Sequence, residues 1–408
     1  MTSRDRALRD RAERVIPGGM YGHQSVAALP PGYPQFFLRA EGAYLWDADG
    51  RRLLDLMCAY GPQLFGYANA RIDRAYVEQL AVGDAMTGPS GLMVELAETM
   101  VSMVGHADWA MFCKNGTDAN TMALMVARAQ TGRNAVVRAR GAYHGAAQWS
   151  NPRKRGVAPS DQAGQHLCDY NDVVSLEAAI AAAGDDLAAI FAAPFKHDVL
   201  VDQAAPLPAY ARRARELADR SGALLIVDDV RAGFRISRDC SWAKVGVEPD
   251  LSCWGKCIAN GHPLSALLGS NSARRGAEGI FTTGSYWFAA AAMAASLVTL
   301  EMIRTTDYLE RIEALGARLR HGLDERSRSH GLSLRQSGPP QMPLFLFDDD
   351  PELRTGNAWA AQMVSRGIYV HPWHNMFLSA AMTEQDIDAA LDAADASFKA
   401  VTKEKSAV

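Results

Sequence analysis

A chain of 408 residues, 48% of them hydrophobic and 22% charged, can bury a large core and divides into one larger and one smaller domain. Its formal net charge of -4 is spread without blocks, which argues against nucleic acid and against a membrane surface as partner. No apolar run approaches ~20 residues and the start lacks an apolar core, so neither a membrane span nor a signal peptide is expected; the expected location is the cytoplasm.

Residues 4–15 read as a polar, arginine-rich amphipathic helix stopped by Pro17-Gly18-Gly19. The stretches 44–50 and 51–55 read as two strands around an Asp49-Gly50 turn. A loop of small and aromatic residues follows, through Cys58, Tyr60, Gly61, Pro62, Gly66 and Tyr67. From about residue 92 helices and strands alternate, which predicts a largely parallel sheet covered on both faces. Strands are expected at 110–113, 134–139, 187–193, 223–228, 250–254 and 264–269, with helices at 118–131, 172–183 and 206–220, the last opened by Pro206 and Pro208. Leu309, Ile312, Leu315, Leu319 and Leu323 keep helical spacing up to Gly331. Strand-like 344–347 and 369–371 and a final helix from 383 then predict a separate α+β lobe. The six cysteines (58, 113, 168, 240, 253 and 257) are scattered, and no His or Cys pair completes a zinc set with Cys253 and Cys257. Buried thiols and no metal are expected.

Chemistry concentrates first at Lys256, which lies among Leu251, Cys253, Trp254, Cys257, Ile258 and Ala259. A charged amine is costly to desolvate there, so such a site lowers its pKa and makes it a nucleophile. On local grounds a lysine snorkelling from a strand end remains the alternative. Upstream, the apolar run 223–227 ends in Asp228-Asp229 and reads as a buried parallel strand delivering Asp228 to its carboxyl end. Ligands of open α/β sheets sit outside that edge, so Asp228 and Lys256 would face one crevice. Aspartate and lysine in one pocket suit pyridoxal phosphate, where lysine forms the Schiff base and aspartate pairs with the pyridinium nitrogen.

Two loops add to this. The segment 112–120 leaves a strand, turns on Asn115-Gly116 and starts a helix at Thr117-Asp118, which would offer free N–H groups and a positive helix end to a phosphate. Thr117 as a plain helix cap is the other reading. The loop Gly141-Ala-Tyr-His-Gly145 presents a flat aromatic, Tyr143, on which a cofactor ring could stack, or which simply packs. A nucleotide-hydrolysing P-loop needs G-x-x-x-x-G-K-[S/T], which Gly255-Lys256-Cys257 does not satisfy, and no G-x-G-x-x-G follows a strand as a dinucleotide site requires.

In their order, Pro17-Gly-Gly19, Gly61-Pro62, Asn115-Gly-Thr117, Gly141-x-Tyr-His-Gly145, Asp228-Asp-Val230, Gly233-Phe234 and Gly255-Lys256 resemble the signatures of class III aminotransferases of fold type I. That group includes glutamate-1-semialdehyde aminomutase. Over 107–116, 227–235 and 370–379 the chain is similar to the bacterial fumonisin aminotransferases, which deaminate the long-chain aminopolyol left after fumonisin hydrolysis. The resemblance implies an α/β fold with a large cofactor domain, 58–300, built on a mostly parallel seven-stranded sheet. It implies a smaller α+β domain from both termini, 1–57 and 301–408. It also implies pyridoxal phosphate bound to Lys256, which moves the proton as well, with Asp228 keeping the pyridine nitrogen protonated. Tyr143 would stack on one ring face with His144 beside it, Val230 would pack on the other, and Asn115, Gly116 and Thr117 would bind the phosphate. The family completes that phosphate site with a threonine of the partner subunit; the aligned residue is Ser285, which implies a homodimer with shared active sites.

Departures point to the substrate. Amino-acid-specific members carry a glutamate where this chain has Ala193, paired with an arginine in the C-terminal lobe, and 370–376 offers no arginine. Arg231, Lys196, His23, His371 and His374 are unranked alternatives for a keto-acid carboxylate. Tyr21, Tyr60, Trp287 and Trp373 are the expected aromatic walls, which would favour a bulky or long-chain primary amine over glutamate, with pyruvate as acceptor. The alternative activity is a 2,1-aminomutase.

Overall fold

The computed structural model describes residues 3–22, 25, 29–30, 32–196, 200–348 and 350–406. Two compact units emerge: Met1–Asn69 with Glu310–Val408, and Ala70–Leu309. In the first, Ser3 caps helix α1 (Arg4–Val15) by accepting the Arg6 N–H at 3.1 Å. Asp5 on that helix accepts the backbone N–H groups of Gln35 and Phe36 at 2.8 and 2.9 Å, fixing the entry to the small sheet. Strands β1 (Phe37–Glu41), β2 (Tyr44–Asp47) and β3 (Arg52–Asp55) pair antiparallel in that order. Asp47 closes the β2–β3 turn, its Oδ1 accepting the Arg51 N–H at 2.9 Å.

The following loop belongs to this unit as well, so the boundary falls at Asn69 and not at the expected 57. Its cause is the pairing of Tyr67 with the sheet: its hydroxyl donates to Asp55 at 2.6 Å and its backbone bridges Gly42. Between them Cys58, Ala59 and Tyr60 take consecutive left-handed φ values of 47, 53 and 62°. Such a turn costs about 1–2 kcal/mol per residue and needs an anchor; Asp55 supplies it, accepting the Met57 N–H at 2.8 Å.

The second unit opens with α2 (Ala70–Val82) and α3 (Leu92–Met103), then β4 (Trp109–Cys113), α4 (Gly116–Thr131), β5 (Ala135–Ala139), β6 (Gln165–Cys168), α5 (Val173–Ala183) and β7 (Leu187–Ala192). It continues through α6 (Pro208–Ser221), β8 (Leu224–Asp228), β9 (Leu251–Trp254), β10 (Ser265–Gly269), α7 (Arg274–Gly279) and α8 (Ala290–Thr305). The sheet has seven strands in the order β4-β10-β9-β8-β7-β5-β6. All neighbours run parallel except β10, which is antiparallel to both β4 and β9. Strands β5, β7, β8, β9 and β10 are buried along their whole length, and β7 and β8 up to Asp228 read as uninterrupted apolar runs for that reason. This is the mostly parallel seven-stranded sheet of the expected fold class. The β4, β5, β8 and β9 strands point the same way, so the loops after them share one edge.

This unit ends at Leu309, beyond the expected 300, because α8 runs to Thr305 and the Tyr308 hydroxyl then donates to the Phe234 carbonyl at 2.7 Å. From Glu310 the long α9 (Tyr308–Ser329) belongs to the first unit, with β11 (Leu334–Ser337), β12 (Leu344–Phe347), α10 (Arg354–Ser365), β13 (Ile368–Tyr369) and α11 (Glu384–Ser406). Strand β13 adds to β3 in parallel, and β11 and β12 form a separate hairpin. All six cysteines are buried and none forms a disulfide. Among the described residues no helix is long and apolar enough to cross a membrane.

Candidate active site

The last residue of β8, Asp228, is buried, and three donors converge on it. His144 donates from Nδ1 to Oδ2 at 2.8 Å, Asn120 donates from Nδ2 to the same oxygen at 2.8 Å, and the Val230 N–H reaches Oδ1 at 3.2 Å. A carboxyl group offers about four lone-pair sites, so these three donors leave one place on Oδ1 for a further donor. His144 packs against two rings, parallel to Trp149 within 8° and tilted against Phe191 at a centroid distance of 4.7 Å. The neighbouring Asp229 points away, accepting the Ser241 N–H at 2.7 Å, and burial pushes its carboxyl up to about 6.

Lys256 follows β9 directly. Gly255 is extended (φ -179°) and Lys256 turns into the left-handed region at φ 48°, an uncommon conformation for a residue with a Cβ. Gly255 is required there, since a Cβ on it would come within 2.7 Å of Ser265 Oγ. Burial, then the Arg231 guanidinium, pulls the Lys256 amine down to about 8. Arg231 is itself lowered to about 10 by burial, against the pull of Asp228 and Tyr143.

Helix α4 starts at Gly116 and its cap is Asn115, not Thr117. The Asn115 side chain is engaged at both ends with Asp118, accepting its N–H at 3.0 Å and donating to its carboxylate at 2.8 Å. What this end presents to an anion is therefore the open N–H groups of the first turn and the helix dipole. A Cβ on Gly116 would lie 2.6 Å from Val230 Cγ1, and one on Gly255 3.3 Å from the same atom. Val230 thus sits between the α4 N-terminus and the turn that carries Lys256. Thr117 accepts the Ala146 N–H at 3.1 Å, which brings the loop carrying Tyr143 and His144 to the same place. Tyr143 is 47% exposed, its hydroxyl raised by burial and lowered by Arg231.

The set Asp228, Lys256, Val230, Tyr143, His144, Asn115, Gly116 and Thr117 is thus gathered at one edge of one unit. A depressed amine, a carboxylate held by three donors and a helix end kept open by glycine fit pyridoxal phosphate. Ser285 is exposed in the segment between α7 and α8. Trp287 packs against the core cluster that includes Trp109 and Ala273, so the core claims part of that indole. In the other unit Tyr21 is 74% exposed, whereas Tyr60, His371, Trp373 and His374 form one aromatic cluster, Tyr60 edge-on to His374 at 5.2 Å and His371 edge-on to Trp373 at 4.3 Å. His371 Nδ1 accepts the His374 N–H at 3.2 Å. Lys196 pairs through its backbone with Ala204, and His23 lies outside the described residues. Asn120 was not singled out from the sequence; its only signal is its place one turn inside a helix that begins at a phosphate-type loop.

The sequence profile of aminotransferase class-III matches residues 29–394, and the chain belongs to that family. It is 56% identical to the aminopentol aminotransferase of Sphingopyxis macrogoltabida over 98% of this chain and 95% of that one. The structure of the FumI protein of Sphingopyxis sp. MTA144, in its pyridoxal-phosphate internal aldimine form, superposes with a TM-score of 0.98 at 56% identity, covering 100% of this chain and 98% of that one. A glutamate-1-semialdehyde aminomutase from Pseudomonas aeruginosa shares the fold, with a TM-score of 0.84 at 23% identity over 98% of this chain and 94% of that one.

Proposed function

We propose that this aminotransferase uses pyridoxal phosphate to take the amino group of a long-chain primary amine of the aminopolyol type and pass it to a keto acid such as pyruvate. The observation that carries the reading is the pairing of a donor-held carboxylate, Asp228, with a low-pKa lysine, Lys256, in a chain 56% identical to an aminopentol aminotransferase. When bound, pyridoxal phosphate supplies the carbonyl that takes up the amine and a ring that stores electrons. Lys256 Nζ, whose charged form burial disfavours, would take the proton from the substrate carbon and carry it to the cofactor. Asp228 would hold the ring nitrogen's proton, Val230 and Tyr143 would bracket the ring, and the first turn of α4 would take the phosphate.

The substrate preference rests on what replaces the carboxylate-binding pair of amino-acid-specific relatives. Ala193 is buried with Ala139, Ala142 and Tyr170, and its carbonyl accepts from Tyr170 and Trp242, both at 3.2 Å, which supports an apolar closure of that wall. Without the arginine that pairs with it in those relatives, an α-carboxylate placed against that wall would be desolvated unpaired. Tyr21, Tyr60, Trp287 and Trp373 are proposed as aromatic surfaces for the chain of the amine. A homodimer with Ser285 completing the partner's phosphate site belongs to the same reading, supported by Phe281 and Tyr286 at 87% and 69% exposure beside it. So does a cytoplasmic location, supported by six buried cysteines that stay as free thiols. With one keto acid in common, kcat/KM for a long-chain 2-aminoalkane polyol is expected to exceed that for glutamate; a clear preference for glutamate refutes the substrate while leaving the cofactor chemistry intact.

A further inference from the structure

Asn120 is 2% exposed and uses a single atom twice: Nδ2 donates to Asp228 Oδ2 at 2.8 Å and to the His144 carbonyl at 3.0 Å. Both partners are acceptors, which settles which end of the amide faces them. The other end, Oδ1, is then buried with no hydrogen-bond partner. A buried, unpaired acceptor is destabilising and offsets part of what the two Nδ2 bonds contribute. Stability alone therefore does not account for an asparagine at this point of α4.

The geometry points to Asn120 as a positioning residue: with His144 it saturates Asp228 Oδ2, so that Oδ1 is the oxygen left to face the cofactor's ring nitrogen, and it ties the loop carrying Tyr143 to that carboxylate. This rests on Asp228 as the ring nitrogen's partner. Two donors on Oδ2, with the Val230 N–H on Oδ1, fix the carboxylate plane, and without Asn120 a single donor would remain on each oxygen. The His144 carbonyl keeps a second donor, Ser150 Oγ at 3.4 Å, so removing the amide does not strip that group of every partner.

The test is a cycle of holoenzyme variants, Asn120→Leu, Asp228→Asn and the double variant, read by kcat, by KM, by thermal midpoint and by the pH titration of the bound cofactor's visible absorption. Loss of one hydrogen bond to a charged group predicts a fall in kcat of roughly 10-fold to 100-fold for Asn120→Leu, with KM little changed and a shifted absorption titration. Its melting temperature is expected to change little, since loss of the bonds to Asp228 and the His144 carbonyl is offset by removal of the unpaired Oδ1. In the Asp228→Asn background the same substitution is expected to cost little, because it acts through Asp228. Equal losses in both backgrounds, or an unshifted titration, would overturn the inference while Asp228 keeps its role. Full activity of Asp228→Asn would overturn both. If Asn120→Leu does not fold, Asn120→Asp decides: a second carboxylate against Asp228 predicts a deficit that deepens as pH rises and recovers as one of the two is protonated, and a pH-independent deficit contradicts the assignment.

Discussion

On the proposed function Lys256 is where the chemistry is decided, and its environment sets a measurable number. Ordinary lysine titrates at 10.5, and here burial together with Arg231 brings the amine to about 8. In protein free of cofactor, the rate of modification of this amine is expected to rise with a midpoint near that value, followed by peptide mapping across pH. Arg231→Leu should raise the midpoint, since the second-largest cause is removed; a midpoint near 10.5 in the unaltered protein would remove the case for an activated lysine. The sequence made Lys256 and Asp228 legible because apolar flanks and a strand-terminal carboxylate are local signals. It could not show that Asn115 spends its side chain on Asp118, or that Asn120 reaches Asp228, because those partners lie 3 and 108 positions away and depend on how α4 is rotated.

At the scale of elements, the buried strands were readable as apolar runs, whereas β6 was not. Its Gln165-His-Leu-Cys168 is short, polar and partly exposed at the sheet edge, so nothing in its pattern separates it from a loop. Helix α8 was missed for the opposite reason: it is buried on nearly every side, and an alanine-rich helix with no polar face shows no 3.6-residue contrast. Strand β9 carries a pH-sensitive element of its own. The Trp254 indole donates to Ser252 Oγ at 2.7 Å, leaving that hydroxyl to donate to His106 Nε2 at 3.0 Å. Burial outweighs the carboxylates of Asp239, Asp250 and Asp108 and lowers His106 from 6.5 to about 4. Since the folded value lies below the unfolded one, the neutral histidine's contribution is complete above 6.5 and is lost as pH falls toward 4. At ~1.4 kcal/mol per pH unit the loss is roughly 3 kcal/mol. Chemical denaturation across this range is expected to show a shallower acid slope for His106→Asn than for the unaltered protein; equal slopes would contradict the assignment.

For the whole molecule, the two-unit division was legible in outline, but both boundaries fell later than the sequence suggested. Pairing of Tyr67 with Asp55, and of Tyr308 with Phe234, is a contact between distant positions that no local pattern announces. Sedimentation of the holoprotein is expected to give two chains per particle. Replacing Phe281 and Tyr286 by glutamate should shift it toward one chain and weaken cofactor binding through loss of Ser285 from the partner; a single-chain particle of undiminished cofactor affinity would contradict shared sites. The central claim, a lysine-bound cofactor that accepts the amine of a long aminopolyol, is tested most directly by a single half-reaction. Holoprotein is mixed with the aminopolyol, without any keto acid, and the visible absorption of the bound cofactor is followed; pyruvate is then added. The account predicts loss of the absorption with the aminopolyol, faster than with glutamate, and its return with pyruvate. Conversion by glutamate with no response to the aminopolyol would contradict it.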